Sequence, residues 1–338
     1  MISPWVRIVI VNFHADQLLQ QLIDALLAQK EDGFEVVIVD NEAADNWCCL
    51  LPDHRFRIIP VSVNLGFAAA ANLGANNAQT EWLSMLNPDT IPDEDWLVEI
   101  KEAIRNHPDT ALFGSCQRMA SQPDRLDGAG DAYSIFGIAW RGGYGHPHTV
   151  LDALPSSYRT FSPCAAAAFY RRDQFALAGG FAESFFCYLE DVDLAFRLTL
   201  LGQQTRQINR AQVYHIGSAI TGRHSPFTIY HSVRNGVWVL LRCMPTSLLL
   251  FALPLYLLAQ SWLMVRNHRS AAHRLRGIVH GLLAWRTLWQ QRALIQASSL
   301  VKARQLASLL TWNPVALQKR RIMVLPTIAE QMDKFCEK

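Results

Sequence analysis

The amino-acid sequence predicts an α/β domain followed by a helical region. In the first 120 residues, short runs rich in Val and Ile alternate with stretches whose Leu and Ala residues recur at helical spacing. The apolar runs show no polar alternation, which is typical of strands buried on both faces of a largely parallel sheet. From about residue 226 the chain changes to long apolar and basic segments. These observations predict a sheet domain over 1–225 and a helical region over 226–338.

The elements of the predicted sheet domain follow in chain order. Strands are predicted at 6–11, 35–39, 56–61, 82–86, 111–116 and 162–171, with helices between them at 18–27, 68–78 and 93–106. Residues 121–160 are rich in Gly, Pro, Arg and Tyr without periodicity, which predicts a long loop region. A helix that begins near Glu190 and ends before Gly202 completes this part.

Carboxylates occupy the places where such a sheet binds its ligands. Asp40 and Asp89 fall at the carboxyl ends of predicted strands, where ligands of open α/β sheets lie. Read alone, each also fits a strand-ending turn. Glu190 and Asp191 form an acid pair in which like-charge repulsion raises one pKa, and this suits a general base.

Two further residues of this helix have a structural interpretation. Asp193 and Arg197 are spaced as an i,i+4 ion pair. We therefore expect them to support the helix and assign the chemistry to Glu190 and Asp191.

The charge of the chain is unevenly distributed. The net charge is +2, but residues 1–193 hold 26 acidic against 12 basic residues. Residues 194–329 hold no acidic residue and 17 Lys and Arg. This asymmetry indicates a polyanionic partner, either nucleic acid or an anionic membrane surface. Aromatic residues here lie among apolar helical faces instead of alternating with basic residues on a sheet, so we expect no nucleic acid.

The helical region contains a 19-residue segment without charge, 247–265. A transmembrane helix here would place the basic residues that follow opposite the sheet domain, against the positive-inside rule. A re-entrant or interfacial hairpin fits better, in which amphipathic helices of the basic segment 266–289 lie on anionic lipid. An ordinary buried helix pair is the alternative, because 19 residues is near the short limit for a membrane span.

The cysteines predict free thiols. Seven cysteines without a C-x-x-C pair favour a reducing cytoplasm over disulfides or a structural metal. The first residues show no basic flank or cleavage site, so no signal peptide is expected. The cysteines are Cys48, Cys49, Cys116, Cys164, Cys187, Cys243 and Cys336.

Six motifs together resemble a known family. The chain contains, in order, "VIVNFH", "VIVDN", "NLGFAAAANLG", "LNPD", "GGFAESFFCYLEDVDLAFRL" and "VYHIGS". They resemble the inverting family 2 glycosyltransferases, particularly bacterial rhamnosyltransferase-like members, over roughly residues 5–240. The resemblance implies the GT-A fold, a nucleotide-binding α/β domain with a mixed sheet, followed here by a membrane-associating helical region.

The resemblance also implies roles for individual residues. Asp89 takes the place of the last Asp of the family's D-x-D motif, which binds a divalent metal, Mg²⁺ or Mn²⁺, and His215 completes that metal site. Asp191 is the catalytic base, with Glu190 as the next candidate. The residues implied to bind the donor are Asn12, Asp40, Asn64, Gly66, Phe67, Asn72, Asn87 and Asp89.

The implied reaction is an inverting sugar transfer from a nucleotide-diphosphate sugar to a polyprenyl-diphosphate-linked saccharide in cell-surface polysaccharide synthesis. L-Rhamnose from dTDP-rhamnose is the expected donor, with a UDP- or GDP-hexose as the alternative. The expected location is the cytoplasmic face of the bacterial inner membrane, peripheral or monotopic. His14, Ala43 and Ala182 depart from the family pattern, so the identity of the donor stays open. The sequence does not indicate the oligomeric state.

Two other classes of protein fit the sequence less well than a family 2 glycosyltransferase. A sugar-nucleotide nucleotidyltransferase would need a basic, Gly-rich triphosphate loop near the N-terminus, and "VNFHADQLLQQL" offers none. A non-catalytic membrane scaffold that binds sugar nucleotides stays open, although the carboxylates Asp89 and Asp191 argue against it.

Overall fold

A ten-stranded sheet forms the centre of the computed structural model, which describes residues 3–42, 51–217 and 225–326. The strands along the chain are β1 (Val6–Asn12), β2 (Phe34–Asn41), β3 (Phe56–Val61), β4 (Trp82–Leu86), β5 (Thr90–Pro92), β6 (Leu112–Met119), β7 (Gln122–Gly128), β8 (Asp131–Tyr133), β9 (Ala139–Arg141), β10 (Ser157–Thr160), β11 (Ala167–Arg171) and β12 (Thr205–His215). Strands β8 and β9 form a separate antiparallel hairpin.

The helices flank the sheet and then form the C-terminal part. They are α1 (Asp16–Leu27), α2 (Gly66–Ala75), α3 (Trp96–Asn106), α4 (Arg172–Leu177), α5 (Glu190–Leu200), α6 (Pro226–Cys243), α7 (Thr246–Arg266), α8 (His268–Leu283), α9 (Trp285–Ala297), α10 (Ala303–Leu309) and α11 (Pro314–Gln318). Two 3-10 turns lie at His148–Ala153 and Glu183–Phe185.

The sheet is mixed. Its order is β10-β12-β6-β11-β4-β1-β2-β3, with β5 paired to β12 and β7 to β6. Strands β4, β1, β2 and β3 are parallel. Strand β11 runs antiparallel between β4 and β6, so the parallel order does not extend across the whole sheet. The carboxyl ends of β1, β2 and β4 therefore share one edge.

The apolar runs are strands because both faces of the sheet are covered. Ile8 and Trp82 pack with α1 and α3 in one core cluster. Val9 and Leu83 pack with the small residues of α2 and with α5 in the other. Every residue of β1 and β4 is buried, which explains their lack of polar alternation.

Element boundaries differ from the prediction where turns interrupt the pattern. Strands β3 and β4 occupy the predicted residues. Helix α3 begins at Trp96 because Asp93 accepts a hydrogen bond from the Asp95 amide (3.2 Å) in a preceding turn. Strand β11 begins at Ala167 because its amide closes a turn onto the Cys164 carbonyl (3.1 Å).

The prediction of a long loop over 121–160 is wrong. Strand β7 pairs with β6, β8 with β9, and β10 with β12. The strands are short, the β6–β7 register shifts twice, and Gly130 and Gly137 have positive φ values of 83° and 72°. These interruptions remove the regular pattern from which a strand is recognised.

The C-terminal helices share a core with the sheet domain. Tyr133 of β8 and Phe196 of α5 belong to the same apolar cluster as Leu240 of α6 and Tyr256 of α7. The predicted boundary between 1–225 and 226–338 stays a prediction, because packing is continuous across it.

Helix α7 is the described helix that is long and apolar enough to span a membrane, and 22% of its most apolar window is buried. A helix inside an ordinary helix pair would bury most of this surface, so the exposure favours association with lipid. The basic segment 266–289 forms helix α8 and the start of helix α9, with a break at Ala284.

The described cysteines Cys116, Cys164, Cys187 and Cys243 are free thiols, as expected. Cys48, Cys49, Cys336 and the family departure at Ala43 lie outside the described residues.

Candidate functional site

A cavity of about 760 Å³ opens at the carboxyl ends of the central strands. Its walls come from the ends of β1, β2 and β4, the start of α2, the turn before α5, the end of β12 and the β9 loop. The predicted site residues that line it are Asn64, Gly66, Phe67, Asn87, Asp89, Glu190, Asp191 and His215. Residues far apart in sequence thus meet at the edge expected for a ligand.

Two asparagines shape the start of α2. Asn41 Oδ1 accepts a hydrogen bond from the Leu65 amide (2.8 Å), and Asn41 Nδ2 donates to Asn64 Oδ1 (3.0 Å). Asn64 Oδ1 also accepts from the Gly66 amide (2.8 Å). Gly66 has a φ of 78°, and a Cβ there would lie 2.4 Å from the Phe186 ring. Glycine is therefore required by Phe186 of the same chain, whatever ligand approaches.

Three predicted donor residues lie outside the cavity lining. Asn12 and Asp40 are paired in register across β1 and β2, with Asn12 Nδ2 donating to Asp40 Oδ1 (3.1 Å). Asn72 Nδ2 donates to the Phe181 carbonyl (2.9 Å), and Asn72 Oδ1 accepts from the Phe181 amide (2.9 Å). Asn72 therefore holds the loop before α5 against α2, and the donor contacts of all three stay predictions.

His215 lies between two carboxylates. Its Nε2 is 3.3 Å from Asp89 Oδ1, and its Nδ1 is 2.7 Å from Asp127 Oδ2. The guanidinium of Arg141 forms an ion pair with Asp127. Strand pairing creates this arrangement, because His215 of β12 stands opposite Thr90 of β5, the residue after Asp89.

The two partners shift each other's ionisation. Burial lowers the pKa of His215, but the Asp127 and Asp89 carboxylates, which accept hydrogen bonds from its ring, outweigh this effect and raise the pKa. Burial acts to raise the pKa of Asp89, and the hydrogen bond and charge of His215 overcome this and lower it. Asp89 is therefore an ionised carboxylate facing the cavity.

Asp89 and His215 suit a divalent cation. A carboxylate oxygen and an imidazole nitrogen converge at one place on the cavity wall. Mn²⁺ accepts this mixture of ligands, and Mg²⁺ prefers oxygen alone. A different group, found among the described residues, brings ligand atoms of Asp131, Cys164 and Asp191 within 4.8 Å of one another. Its thiol suits softer metals such as Zn²⁺.

Asp191 has the geometry of a positioned base. It lies in the first turn of α5, where its Oδ2 accepts from the Ala165 amide (3.0 Å) and its Oδ1 from the Val192 amide (2.8 Å). Burial raises its pKa, while these two hydrogen bonds favour the carboxylate form. The pKa of Glu190 is raised further, by burial and by the charge of Asp191. Among the described residues, Glu190 Oε2 is buried without a hydrogen-bond partner, so the structure stabilises a negative charge on Asp191 better than on Glu190.

A strained turn presents this pair to the cavity. Phe186, Tyr188 and Leu189 all have positive φ values, of 66°, 70° and 65°. Such values are uncommon for residues other than glycine and need external support. Asn235 of α6 supplies it, because its Nδ2 lies within hydrogen-bond distance of the carbonyls of Phe185 (3.1 Å), Cys187 (2.9 Å) and Tyr188 (2.7 Å).

Asp193 and Arg197 form the expected i,i+4 ion pair, with 2.8 Å between Arg197 Nη2 and Asp193 Oδ2. Arg197 Nη2 also donates to the Gly180 carbonyl (2.8 Å), and Arg242 of α6 pairs with Asp193 Oδ1 (3.1 Å). Asp193 and Arg197 lie outside the cavity lining and connect α5 to the loop at Gly180 and to α6.

Sequence reasoning missed four charged residues of the cavity, Asp127, Asp131, Arg141 and Arg320. The first three belong to the region that was predicted to be a loop. The available signal was the stretch "LDGAGD", in which two acids flank glycines. Burial, followed by the charge of Asp191, raises the pKa of Asp131 to about 8.

Comparisons with known proteins agree with this architecture. A model of Glycosyl transferase family 2 matches residues 7–173, about half of the chain. N-acetylglucosaminyl-diphospho-decaprenol L-rhamnosyltransferase of Mycobacterium tuberculosis is 24% identical over 242 residues, covering 64% of this chain and 77% of the relative. Succinoglycan biosynthesis protein ExoO of Rhizobium meliloti is 29% identical over 133 residues, covering 36% of this chain and 38% of the relative.

Two solved structures show the fold. A mannosyltransferase of Pyrobaculum calidifontis, in complex with GDP-Man and Mn²⁺, has a TM-score of 0.52 at 16% identity, covering 88% of this chain and 86% of its own. Residues 1–349 of TarS from S. aureus have a TM-score of 0.53 at 13% identity, covering 87% and 90%. Together with the family match, these findings confirm the resemblance: the chain is a family 2 glycosyltransferase with a GT-A fold, of the rhamnosyltransferase-like kind.

Proposed function

We propose that the protein transfers a sugar, with inversion, from a nucleoside-diphosphate donor to a lipid-linked saccharide. The observation that carries the proposal is one cavity that holds both an oriented carboxylate, Asp191, and the Asp89–His215 pair. The first suits proton removal from an acceptor hydroxyl, and the second suits a cation that binds a diphosphate.

In the proposed mechanism, Asp191 accepts the proton of the attacking hydroxyl. The Ala165 and Val192 amides fix its carboxylate. Burial and the charge of Asp191 raise the pKa of Glu190, and its Oε2 has no hydrogen-bond donor among the described residues, so Glu190 is not assigned the role of base. The hydroxyl attacks the anomeric carbon from the face opposite the leaving nucleotide, so the configuration inverts in one step.

Asp89 and His215 would hold the Mg²⁺ or Mn²⁺ ion. The ion would neutralise the charge that develops on the leaving diphosphate. Asp127 bonds His215 Nδ1 and so keeps Nε2 directed at Asp89. The ion pair with Arg141 in turn fixes Asp127.

The rhamnosyltransferase relative favours dTDP-rhamnose as donor and a polyprenyl-diphosphate-linked saccharide as acceptor. A GDP- or UDP-hexose donor is the alternative, favoured by the mannosyltransferase solved with GDP-Man. A non-catalytic scaffold with this fold would have no need of a base fixed by two amides.

Donor binding tests the proposal. With Mn²⁺ present, dTDP-rhamnose at about 100 times its Kd should raise the apparent stability by about 2.7 kcal/mol. The shift is measured by thermal unfolding with dTDP-rhamnose, GDP-mannose and UDP-glucose in parallel. EDTA should abolish it. A series in which no nucleotide sugar shifts the transition, or in which EDTA has no effect, contradicts the proposal.

The helical region is proposed to rest on the anionic cytoplasmic face of the inner membrane. Apolar side chains of α7 are exposed, led by Val265 (85%) and Leu250 (70%). Arg266 and Arg269, which follow them, are also exposed and can meet anionic headgroups. Apolar area and positive charge on one surface are the two contributions that hold a peripheral helix at an interface.

Vesicle flotation of the full-length chain tests this surface. Replacing Leu250, Phe251, Leu258 and Trp262 by Gln should lower partitioning onto phosphatidylglycerol-containing vesicles by at least about 100-fold, since each exposed apolar side chain can contribute about 1.5–3 kcal/mol when buried. Leu177→Gln on α4, an apolar residue 66% exposed on the sheet domain, is the matched control. Unchanged flotation of the fourfold variant would exclude α7 as the membrane contact.

A further inference from the structure

The segment after α11 returns to the cavity. Residues 319–326 lie along the loop that follows β9, where the Gly143 amide donates to the Arg320 carbonyl (2.6 Å) and Trp140 Nε1 to the Arg321 carbonyl (3.0 Å). Farther along, the segment forms a bridge to β10. These contacts fix a late part of the chain at the wall of the proposed active site.

Arg320 brings a positive charge into that wall. Its φ of 51° is uncommon for a residue other than glycine, and its side chain lines the same cavity as Asp191. Within 3–42, 51–217 and 225–326, its guanidinium makes no hydrogen bond or ion pair. Arg141, the second arginine of the cavity, is paired with Asp127. The charge of Arg320 is therefore available to an anionic ligand.

Arg320 shares a wall of the cavity with Asp131, because the Gly143 amide that binds the Arg320 carbonyl lies two residues after Arg141, the register partner of Asp131. Ligand atoms of Asp131 and Asp191 lie within 4.8 Å of each other, so this wall reaches the proposed base. The donor phosphates are expected at Asp89 and His215 instead.

A guanidinium matches phosphate oxygens with two parallel hydrogen bonds, and the proposed acceptor carries a diphosphate next to its sugar. We infer that Arg320 binds the diphosphate of the lipid-linked acceptor and so places the sugar hydroxyl at Asp191. The inference rests on the proposed function and adds a residue that recognises the acceptor.

The test is the binding of farnesyl diphosphate to the full-length chain, with Mn²⁺ and a saturating nucleoside diphosphate present to fill the donor site. Arg320→Gln should weaken this binding by at least about tenfold, because the charge-assisted hydrogen bonds to the diphosphate are lost. Affinity for the nucleotide sugar, measured separately, should not change. Arg321→Gln, an exposed neighbour outside the cavity lining, is the matched control and should bind like wild type. Farnesol, which lacks the diphosphate, should bind all three proteins equally.

Several results would overturn the inference. They are the absence of farnesyl diphosphate binding to wild type, equal affinity in Arg320→Gln, or the same loss in Arg321→Gln. A loss of nucleotide-sugar affinity in Arg320→Gln would assign the residue to the donor instead. Because these are binding measurements, a wild-type protein that bound the probe but transferred no sugar would contradict the proposed function alone.

Discussion

Asp191→Asn is expected to lower the rate of sugar transfer by about 10²–10⁴-fold, the usual contribution of a general base. The amide keeps the size of the side chain but cannot accept the hydroxyl proton. Donor affinity should stay within about twofold, because the predicted donor contacts of Asp89 and His215 are untouched. Initial rates with a lipid-linked acceptor and calorimetric binding of the nucleotide sugar measure the two effects separately.

Glu190→Gln is the matched control for this prediction. Glu190 is buried, its Oε2 has no hydrogen-bond partner, and its pKa is raised by burial and by Asp191. A neutral amide should therefore replace the neutral acid with a much smaller loss of rate. If Asp191→Asn stayed active and Glu190→Gln did not, the base would be Glu190.

Asp89→Ala is expected to abolish metal-dependent donor binding without unfolding the domain. Removal of an outer partner of a metal site lowers metal affinity by about 10–100-fold, and Asp89→Ala should lower it further because a direct ligand is removed. His215 keeps its hydrogen bond to Asp127, so the buried imidazole is not left unpaired. Mn²⁺ binding is followed by electron paramagnetic resonance and donor binding by calorimetry, with thermal unfolding as the check on folding.

Cys164→Ser separates the two groups of potential metal ligands. Cys164 belongs with Asp131 and Asp191, away from the Asp89–His215 contact. The Cys164→Ser variant should retain Mn²⁺ binding and donor binding. Loss of Mn²⁺ in Cys164→Ser, with retention in Asp89→Ala, would move the metal to the Asp131 group.

Uniform burial made the central strand β4 predictable at its exact residues. The edge strand β3 also occupies the expected residues, although it is only partly buried. The motifs that contain Asp89, Asp191 and His215 all reach one cavity. What joins Asp89 to His215 is β5, a strand of three residues paired with the end of β12. So short a strand carries too few residues for a periodic pattern.

The remainder of the site depends on tertiary partners. Asp127 and Asp131 are buried near charged groups of β9, α5 and β12, so their roles follow from contacts that no local pattern records. The role of Arg141 also depends on a tertiary contact, because its partner Asp127 belongs to another strand. The strands that carry them are broken by glycine turns and shifted pairing, which hid both the elements and the residues.

The turn at 186–189 is held from both sides of the compositional boundary at 225. Asn72 anchors the preceding loop from the sheet domain, and Asn235 holds the turn itself from α6. The side-chain amide of Asn235, in the basic region 194–329 that holds no acidic residue, thus fixes the backbone that leads into Asp191. The sheet domain and the C-terminal helical region are therefore not separable modules. A chimaera joined at residue 225 would inherit the proposed base, Asp191, without Asn235, which holds the turn before it, unless its new partner supplied an equivalent amide.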